Sequence, residues 1–376
     1  MVALVMAFAV LNAKAESWDL WQAYASAFIS PEGRVIDPMR GNLTTSEGQS
    51  YALFFSLVAN DHPTFDKVLT WTRDNLAQGD LTEHLPGWEW GKASNGEWKL
   101  LDPHSAADSD LWISYTLIEA GRLWQTPGYT RLGKGLAERI ASEEVANLPG
   151  FGPMMLPGSA GFHPDSGTWV VNPSYLPLPV VERIASVDTA GPWAGIARGL
   201  PRFLRESSRS GFAMDWATYH QRTGFQAIAA PDGSGKFQGP GQGSYDAIRV
   251  YLWAGMTNSA TPGAKSMLEG IAGMGGYLDG HPGPPEKVSS DGQVLSTSAP
   301  VGFSAAVMPY LGALGRKAAL DTQRARVDSA LDPASKLYGH PAAYYDQNLV
   351  MFALGWESHR FRFAGDGELQ VRWKKG

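Results

Sequence analysis

Apolar residues recur at intervals of three and four along most of the chain, which is the spacing that places them on one face of an α-helix. Combined with residues that favour helix starts, the pattern predicts twelve helices. Their predicted bounds are 17–29, 46–59, 62–79, 106–124, 128–144, 176–187, 190–206, 244–257, 261–277, 300–315, 316–330 and 343–357. No regular alternation of strands with helices and no break in composition marks a second domain. We therefore predict a single all-α domain over residues 16–376.

Two stretches depart from helical spacing. Residues 162–171 alternate apolar and polar side chains, and residues 212–229 contain two short extended runs around a turn at 222–224. Both patterns predict short β-hairpins in loops on one rim of the domain. The Gly- and Pro-rich stretches 231–243 and 280–285 are typical of surface loops.

The first residues carry a secretory pattern. An apolar run over residues 1–11 is followed by Ala13, Lys14 and Ala15, a small-x-small pattern of the kind that precedes signal-peptide cleavage. We expect residues 1–15 to be a signal peptide and the mature protein to be periplasmic or secreted. No Lys or Arg precedes the apolar run, so the leader is expected to be truncated or atypical. No later apolar stretch reaches the roughly 20 residues that span a bilayer, and no membrane insertion of the mature protein is expected.

Composition and motifs exclude several classes of binding and catalytic site. The 376 residues include 31 Lys and Arg against 37 Asp and Glu, a formal charge of −6, which offers no polycationic surface for nucleic acid. Cysteine is absent, which excludes thiol nucleophiles, disulfides and Fe–S clusters. The eight histidines have no clear metal-ligand spacing, and no nucleotide-binding loop or serine-hydrolase elbow occurs. We expect neither a metal nor a cofactor.

Acidic residues open several of the predicted helices. Glu47, Asp108 and Asp246 begin the second, fourth and eighth helices, Asp346 begins the twelfth, and Tyr175 lies just before the sixth. Helix capping would explain any one of them, because acids in a first turn suit free N–H groups and the helix dipole. All of these helices are even-numbered, however. If six helix pairs form a double ring with alternate helices inside, their starts converge at one end of the inner ring and form the floor of a cleft.

Opposed carboxylates in a cleft suit glycoside hydrolysis, in which one acid protonates the leaving oxygen and the other activates water or attacks the sugar. Sugar polymers also need flat apolar platforms, and 14 tryptophans are available. Trp88, Trp90, Trp98, Trp169 and Trp216 have Gly and polar neighbours in predicted loops, and of these we favour Trp88, Trp90 and Trp169 for sugar binding. The tryptophans within predicted helices are expected to pack in the core.

Segment 107–124 resembles the signature of glycoside hydrolase family 8. Ala107, Ser109 and Ser114 depart from the usual residues, but each exchanges one small side chain for another, and Asp108 and Asp110 are unchanged. The resemblance continues through four further segments and covers nearly all of the chain after the leader. They are 40–42, 46–51, 172–177 and 244–249. The resemblance implies an (α/α)6 barrel and an inverting endo-β-1,4-glucanase that uses no metal or cofactor.

The resemblance also implies roles for individual residues. Glu47 matches the general acid and Asp246 the base that takes a proton from the attacking water. Asp108 matches a carboxylate that binds and distorts the sugar, and Tyr175 a tyrosine near the water. Arg249, one helical turn after Asp246, can pair with that acid and hold it ionised. An inverting pair is expected to lie about 6.5–9.5 Å apart.

The substrate and setting are implied by the resemblance alone. Within the family the sequence is most similar to the periplasmic enzymes of bacterial cellulose synthesis, which implies β-1,4-glucan as substrate and a functional association with a cellulose synthase complex. Xylan, lichenan and chitosan remain alternative substrates. A non-catalytic polysaccharide-binding subunit, which would keep the tryptophans and lose an acid or the base, also remains open. A polysaccharide lyase would need a cluster that neutralises a uronate, and none stands out.

Overall fold

The computed structural model describes residues 17–231, 236–237 and 239–374, so the expected signal peptide lies outside the described residues. Thirteen helices occur within this part of the chain. They are α1 (Asp19–Phe28), α2 (Ser46–Val58), α3 (His62–Leu76), α4 (Ala107–Leu123), α5 (Pro127–Glu143), α6 (Leu178–Val187), α7 (Trp193–Ser207), α8 (Ala247–Met256), α9 (Ala264–Gly270), α10 (Ala272–Leu278), α11 (Val301–Ala313), α12 (Lys317–Ser329) and α13 (Tyr344–Glu357). None of the described helices is long and apolar enough to cross a membrane.

The helices form two concentric rings. Helices α2, α4, α6, α8, α11 and α13 pack side by side in that order, and Phe352 of α13 closes the ring against Tyr51 and Phe54 of α2. Outside them, α3 packs on α2, α5 on α4, α7 on α6, α9 on α8, α12 on α11 and α1 on α13. This arrangement confirms the predicted (α/α)6 barrel of six helix pairs.

The apolar content of each helix decides its ring, because a helix that is apolar on all sides can be stable only when it is surrounded. Every residue of α2 except Glu47 is buried, and so are all ten residues of α8. Helix α3 buries fewer than half of its residues and belongs to the outer ring. Phe352 packs at 5.0 Å from Trp253 and at 5.4 Å from Trp112, measured between ring centroids. The middle of the inner ring is therefore packed with aromatic side chains.

Short strands line the loops between helices. They are β1 (Thr44–Thr45), β2 (Gly87–Lys92), β3 (Trp98–Ser105), β4 (Val145–Leu148), β5 (Gly152–Met155), β6 (Thr168–Val171), β7 (Trp216–His220), β8 (Gly224–Ile228), β9 (Gln242–Gly243), β10 (Lys287–Ser289), β11 (Val294–Ser296), β12 (Phe361–Phe363) and β13 (Leu369–Val371). They form five small antiparallel sheets.

The hairpin predicted around residues 222–224 is confirmed by β7 and β8, while the stretch 162–171 contributes only β6, which pairs with β7. The sequence did not predict the hairpin that β2 and β3 form.

The predicted helix 261–277 is wrong in one respect, because the structure divides it into α9 and α10 at Ile271. The hydroxyl of Tyr310, from α11, donates to the Ile271 carbonyl at 2.8 Å and accepts from the Gly275 N–H at 3.2 Å. The Ile271 carbonyl and the Gly275 N–H are four residues apart, which is the spacing of hydrogen-bond partners in an α-helix. A side chain inserted at the junction satisfies them in another way, which is a recognised cause of a helix break.

Candidate active site

The starts of the inner helices bring the predicted acids together. Glu47 lies in the first turn of α2, where the Thr45 hydroxyl caps the helix by accepting from the Gly48 N–H at 3.2 Å. Asp108 lies in the first turn of α4, and Asp246 immediately precedes α8. The predicted convergence of helix starts at one end of the inner ring is therefore observed.

Arg249 is the centre of this cluster. Its Nη1 atom donates to Glu47 Oε1 at 2.9 Å and to Asp108 Oδ2 at 3.1 Å, and its Nη2 atom donates to Asp246 Oδ1 at 2.7 Å. The arginine is only 2% exposed, whereas the side chains of Glu47 and Asp246 are 25% and 28% exposed. One buried guanidinium thus holds three carboxylates, two of which remain open to solvent.

Polar groups of the barrel wall complete the binding of Arg249. The Ser174 hydroxyl lies 3.0 Å from Nη2, the Tyr51 hydroxyl lies 3.3 Å from Nη1, and the Tyr175 ring has its centroid 5.6 Å from the guanidinium carbon. Asn172, three residues before Tyr175, donates from Nδ2 to Asp246 Oδ2 at 3.1 Å. Segment 172–175 therefore fixes both the arginine and Asp246.

Two acids of the cluster have raised pKa values. Burial raises the pKa of Asp108 well above its usual range, the charge of Glu47 adds to this, and Arg249 opposes it. Burial also raises the pKa of Asp246 to about 6, with Arg249 opposing and the charges of Asp215 and Glu47 adding to the rise. Among the described residues, no group of three or more acidic or histidine side chains is arranged to hold a metal ion.

Two cavities lie beside this cluster. One, of about 220 Å³, is lined by Glu47, Tyr51, Arg40 and Tyr345 among other residues. The second, of about 400 Å³, contains Tyr175. Tyr175 lies against the same guanidinium that binds Glu47, so each cavity has a lining residue in contact with Arg249.

Aromatic side chains form the wall of the larger cavity. Trp88 lines it, and the Trp88 Nε1–H donates to Glu47 Oε2 at 3.3 Å. Trp216, Phe162 and Phe237 lie on the same cavity, and the Trp216 and Phe162 rings are nearly parallel, with a 9° interplanar angle. Flat apolar rings beside the carboxylates are suited to the C–H face of a sugar.

Several residues singled out in the sequence lie elsewhere. The Trp169 ring stacks on His163 with the ring centroids 4.7 Å apart, and among the described residues that line the two cavities Trp169 is absent. Trp90 and Trp98 stack on each other at 5.2 Å, with Arg34 beside both rings. The structure does not bring these three tryptophans to the carboxylate cluster.

Two further acids from the sequence analysis face other partners. Asp346 accepts from the Gly302 N–H in the first turn of α11 rather than from Arg249. Asp110 is buried against Glu144, which accepts from the Ser105 hydroxyl at 2.6 Å. Burial raises the pKa of Glu144 to about 8 and also raises that of Asp110. Neither acid binds Arg249, so both lie outside the arginine cluster.

Sequence reasoning missed two residues that hold the turn before α8. Asp215 accepts hydrogen bonds from Ser244 and Ala247, and the Tyr345 hydroxyl donates to the Tyr245 carbonyl. Tyr345 precedes Asp346, the acid at the start of the last predicted helix, so that helix start was the sequence signal near Tyr345. Asp215 lies 31 residues before Asp246 in an extended stretch, and no local pattern marks it.

Comparison with known proteins places this geometry in context. The sequence profile of glycosyl hydrolases family 8 matches residues 1–359. An endoglucanase of Xanthomonas axonopodis pv. citri (strain 306) is 44% identical over 376 residues, which covers 99% of this chain and 94% of that protein. An endoglucanase of Escherichia coli (strain K12) is 42% identical, with 98% and 95% covered.

A solved structure gives the same picture. The crystal structure of endo-1,4-D-glucanase from Vibrio fischeri ES114 superposes with a TM-score of 0.86 at 37% identity. The match covers 95% of this chain and 99% of that chain. The similarity in sequence and in fold therefore extends over nearly the whole chain.

Proposed function

The chain belongs to glycoside hydrolase family 8, and from this premise we propose that it is an inverting endo-β-1,4-glucanase that hydrolyses cellulose chains. The observation that carries the proposal is the attachment of Glu47 and Asp246 to different nitrogen atoms of one buried guanidinium. Each acid is fixed from behind and open to the cleft in front. Inversion requires two carboxyl groups that can act on opposite faces of a sugar, and both of these acids are partly exposed.

In the proposed reaction Glu47 is the general acid and Asp246 the general base. Arg249 binds Glu47 Oε1, so Oε2, on the side of Trp88, carries the proton that passes to the glycosidic oxygen. As the bond between the anomeric carbon and that oxygen breaks, a water molecule attacks the carbon from the opposite face and gives its proton to Asp246. The new reducing end is then the α anomer. Hydrolysis leaves Glu47 ionised and Asp246 protonated, and proton exchange with solvent restores both acids to their starting forms.

The remaining residues bind and orient the sugar. Asp108 shares Nη1 of Arg249 with Glu47, which places its carboxyl beside the acid, and burial raises the pKa of Asp108 well above its usual range. Trp88 and Trp216 offer platforms in the larger cavity. Tyr175 lies against Arg249, on the side of Asp246. Glu47 lines the smaller cavity and its hydrogen-bond partner Trp88 lines the larger one, which supports cleavage within the glucan chain rather than at an end.

The setting of the activity is a further part of the proposal. We propose that residues 1–15 direct export, that the enzyme is periplasmic or secreted, and that it acts on cellulose during bacterial synthesis and export. The leader-like pattern and the resemblance support this. Fractionation of cells that express the full chain, followed by N-terminal sequencing, would identify the compartment and the cleavage site. Copurification with a cellulose synthase complex would test the association, and an intact cytoplasmic chain would contradict export.

The activity is tested by proton NMR of a cellopentaose digest at early times. New α-anomeric reducing ends are expected, and they would support inversion by Glu47 and Asp246. New β ends would mean retention and would overturn the assignment of the pair. If cellopentaose is not cleaved, the same assay with xylan, lichenan and chitosan oligomers separates another family 8 specificity from a binding protein without activity.

A further inference from the structure

Asp215 is a buried carboxylate behind the turn that carries Asp246. It lies just before β7 and is 4% exposed. Its Oδ1 atom accepts from the Ser244 N–H at 2.7 Å and from the Ala247 N–H at 2.8 Å, and its Oδ2 atom accepts from the Ser244 hydroxyl at 2.6 Å. Ser244 precedes Asp246 in the sequence and Ala247 follows it, so donors from both sides of Asp246 bind the Asp215 side chain.

The backbone of Asp215 also contributes to holding this turn. Its N–H donates to the Gln242 carbonyl at 2.8 Å. A Cβ atom on Gly243 would lie 2.1 Å from the Ala213 carbonyl oxygen. Only glycine at position 243 therefore allows this close contact between the backbones of residues 213 and 243. On the opposite side, the Tyr345 hydroxyl donates to the Tyr245 carbonyl. The turn 242–247 is therefore held from two directions, and its position depends on residues outside α8.

Asp246 is surrounded by charged and titratable groups from several elements. From its own helix Asp246 faces Arg249, and from segment 172–175 it faces Asn172 and Tyr175. From the other elements it faces Glu47, Asp108, Tyr345 and Asp215. Arg249 is the cation in this group of described residues, and three acids share it. Burial raises the pKa of Asp215, its hydrogen bonds to Ser244 and Ala247 oppose the rise, and the charge of Asp215 in turn raises the pKa of Asp246.

We propose that Asp215 is a positioning residue for hydrolysis, which fixes the turn that carries Asp246 and, through its negative charge, makes Asp246 a stronger proton acceptor. The inference rests on the proposed function, because it concerns the residue assigned there as the base. The electrostatics are consistent with it, since the charge of Asp215 contributes to the raised pKa of Asp246. A stronger base takes the proton of water more readily in the transition state.

Asp215→Asn separates charge from geometry. The amide oxygen can keep the two backbone N–H bonds that Oδ1 accepts, and the amide nitrogen can donate to the Ser244 hydroxyl. Because a nearby negative charge raises the pKa of a carboxyl, its removal is expected to move the acidic limb of the kcat/KM profile down by about 1 pH unit. At the pH optimum kcat is expected to fall a few-fold while KM for cellopentaose is unchanged. Asp215→Ser, which is smaller and also uncharged, should move the limb in the same direction if Asp215→Asn is poorly folded.

Two control variants complete the experiment. Ser244→Ala removes one of the three hydrogen bonds and leaves the charge, so the acidic limb should stay in place. Asp188→Asn changes an acid that accepts from the Gly191 N–H and the Trp193 indole at the start of the outer helix α7, so it should affect stability without moving the limb. Thermal unfolding of every variant monitors folding.

The outcomes distinguish this inference from the proposed function. If the wild-type enzyme produces no α ends from cellopentaose, the proposed function fails. If the wild type is active and neither uncharged variant moves the acidic limb, the electrostatic role of Asp215 is overturned while the function stands. An equal movement of the limb in Ser244→Ala would also overturn it, because it would assign the effect to the hydrogen bonds rather than to the charge.

Discussion

Arg249 Nη1 lies 2.9 Å from Glu47 Oε1, although 202 residues of sequence separate the two side chains. The arginine belongs to α8 and the glutamate to α2, so the contact spans the end of the inner ring. The same guanidinium binds Asp108 and Asp246. Because one cation serves three acids, a change at any member of the cluster alters the charge environment of the others.

Glu47→Gln is expected to abolish most hydrolysis while cellopentaose still binds. The amide keeps an oxygen for Arg249 but cannot give a proton to the leaving oxygen, and loss of a general acid costs about 10²- to 10⁴-fold in rate. Glu89→Gln is the matched control, since Glu89 pairs with Arg40 at the cleft edge and not with Arg249. Initial rates and calorimetric binding measure the effect. Turnover close to wild type would eliminate Glu47 as the acid.

The kcat/KM profile is expected to fall about tenfold per pH unit below an apparent pKa of about 6. Asp246 must be ionised to accept a proton, and burial raises its pKa to about 6, so the active form is lost as the pH falls through that value. Asp246→Asn should lose activity at every pH. A wild-type profile that stays flat down to pH 4 would contradict the assignment of Asp246 as base.

Arg249→Lys is expected to lower both activity and stability. An ammonium group cannot hold Glu47 and Asp246 through separate nitrogens as the guanidinium fork does, and acids that lose a buried partner destabilise a fold by about 3–5 kcal/mol. Arg73→Lys is the control, because its pair with Asp74 lies at the surface and such pairs contribute about 0–1 kcal/mol. Denaturant unfolding measures both. Equal losses in the two variants would refute the special role of Arg249.

Trp216→Ala is expected to raise KM for cellopentaose roughly tenfold, which corresponds to about 1.4 kcal/mol of lost sugar stacking. Trp88→Phe should keep a ring in the larger cavity but lose the indole bond to Glu47, so its effect should appear mainly in kcat. Trp169→Phe should leave both constants near wild type, since that ring stacks on His163 outside the cavity. A raised KM in the Trp169 variant alone would place the platform there after all.

Asp346→Asn is expected to change how stability depends on pH. Burial raises the pKa of Asp346 to about 6 in the folded state, above the value of about 4 in an unfolded chain. The folded state therefore favours the protonated form, and its contribution to stability is present below pH 4 and lost as the pH rises to 6, by up to about 3 kcal/mol. Asparagine can still accept from the Gly302 N–H and does not ionise, so the difference between the variant and wild-type unfolding curves should grow over this range. A constant difference would contradict the prediction.

The sequence was sufficient for the helices of the barrel because their evidence is local. The apolar spacing in segments such as 46–59 and 106–124 identifies a helix from a few turns, and those predictions agree with α2 and α4. The acids at the helix starts could be read in the same way, because their position follows from capping and from the count of helices. The predicted break-free helix at 261–277 failed since its interruption comes from Tyr310 of another helix.

The sequence by itself therefore determined the all-α class, the alternation of inner and outer helices, and the set of acids that face one end. Only the tertiary structure decided which of these groups interact. It joined Glu47, Asp108 and Asp246 through Arg249, turned Asp346 toward α11, placed Trp169 outside the cleft, and supplied Asp215 from an extended segment with no motif. Hydrophobic periodicity is set by neighbours in the chain, whereas hydrogen bonds and charge interactions depend on distances that exist only after the two rings have packed.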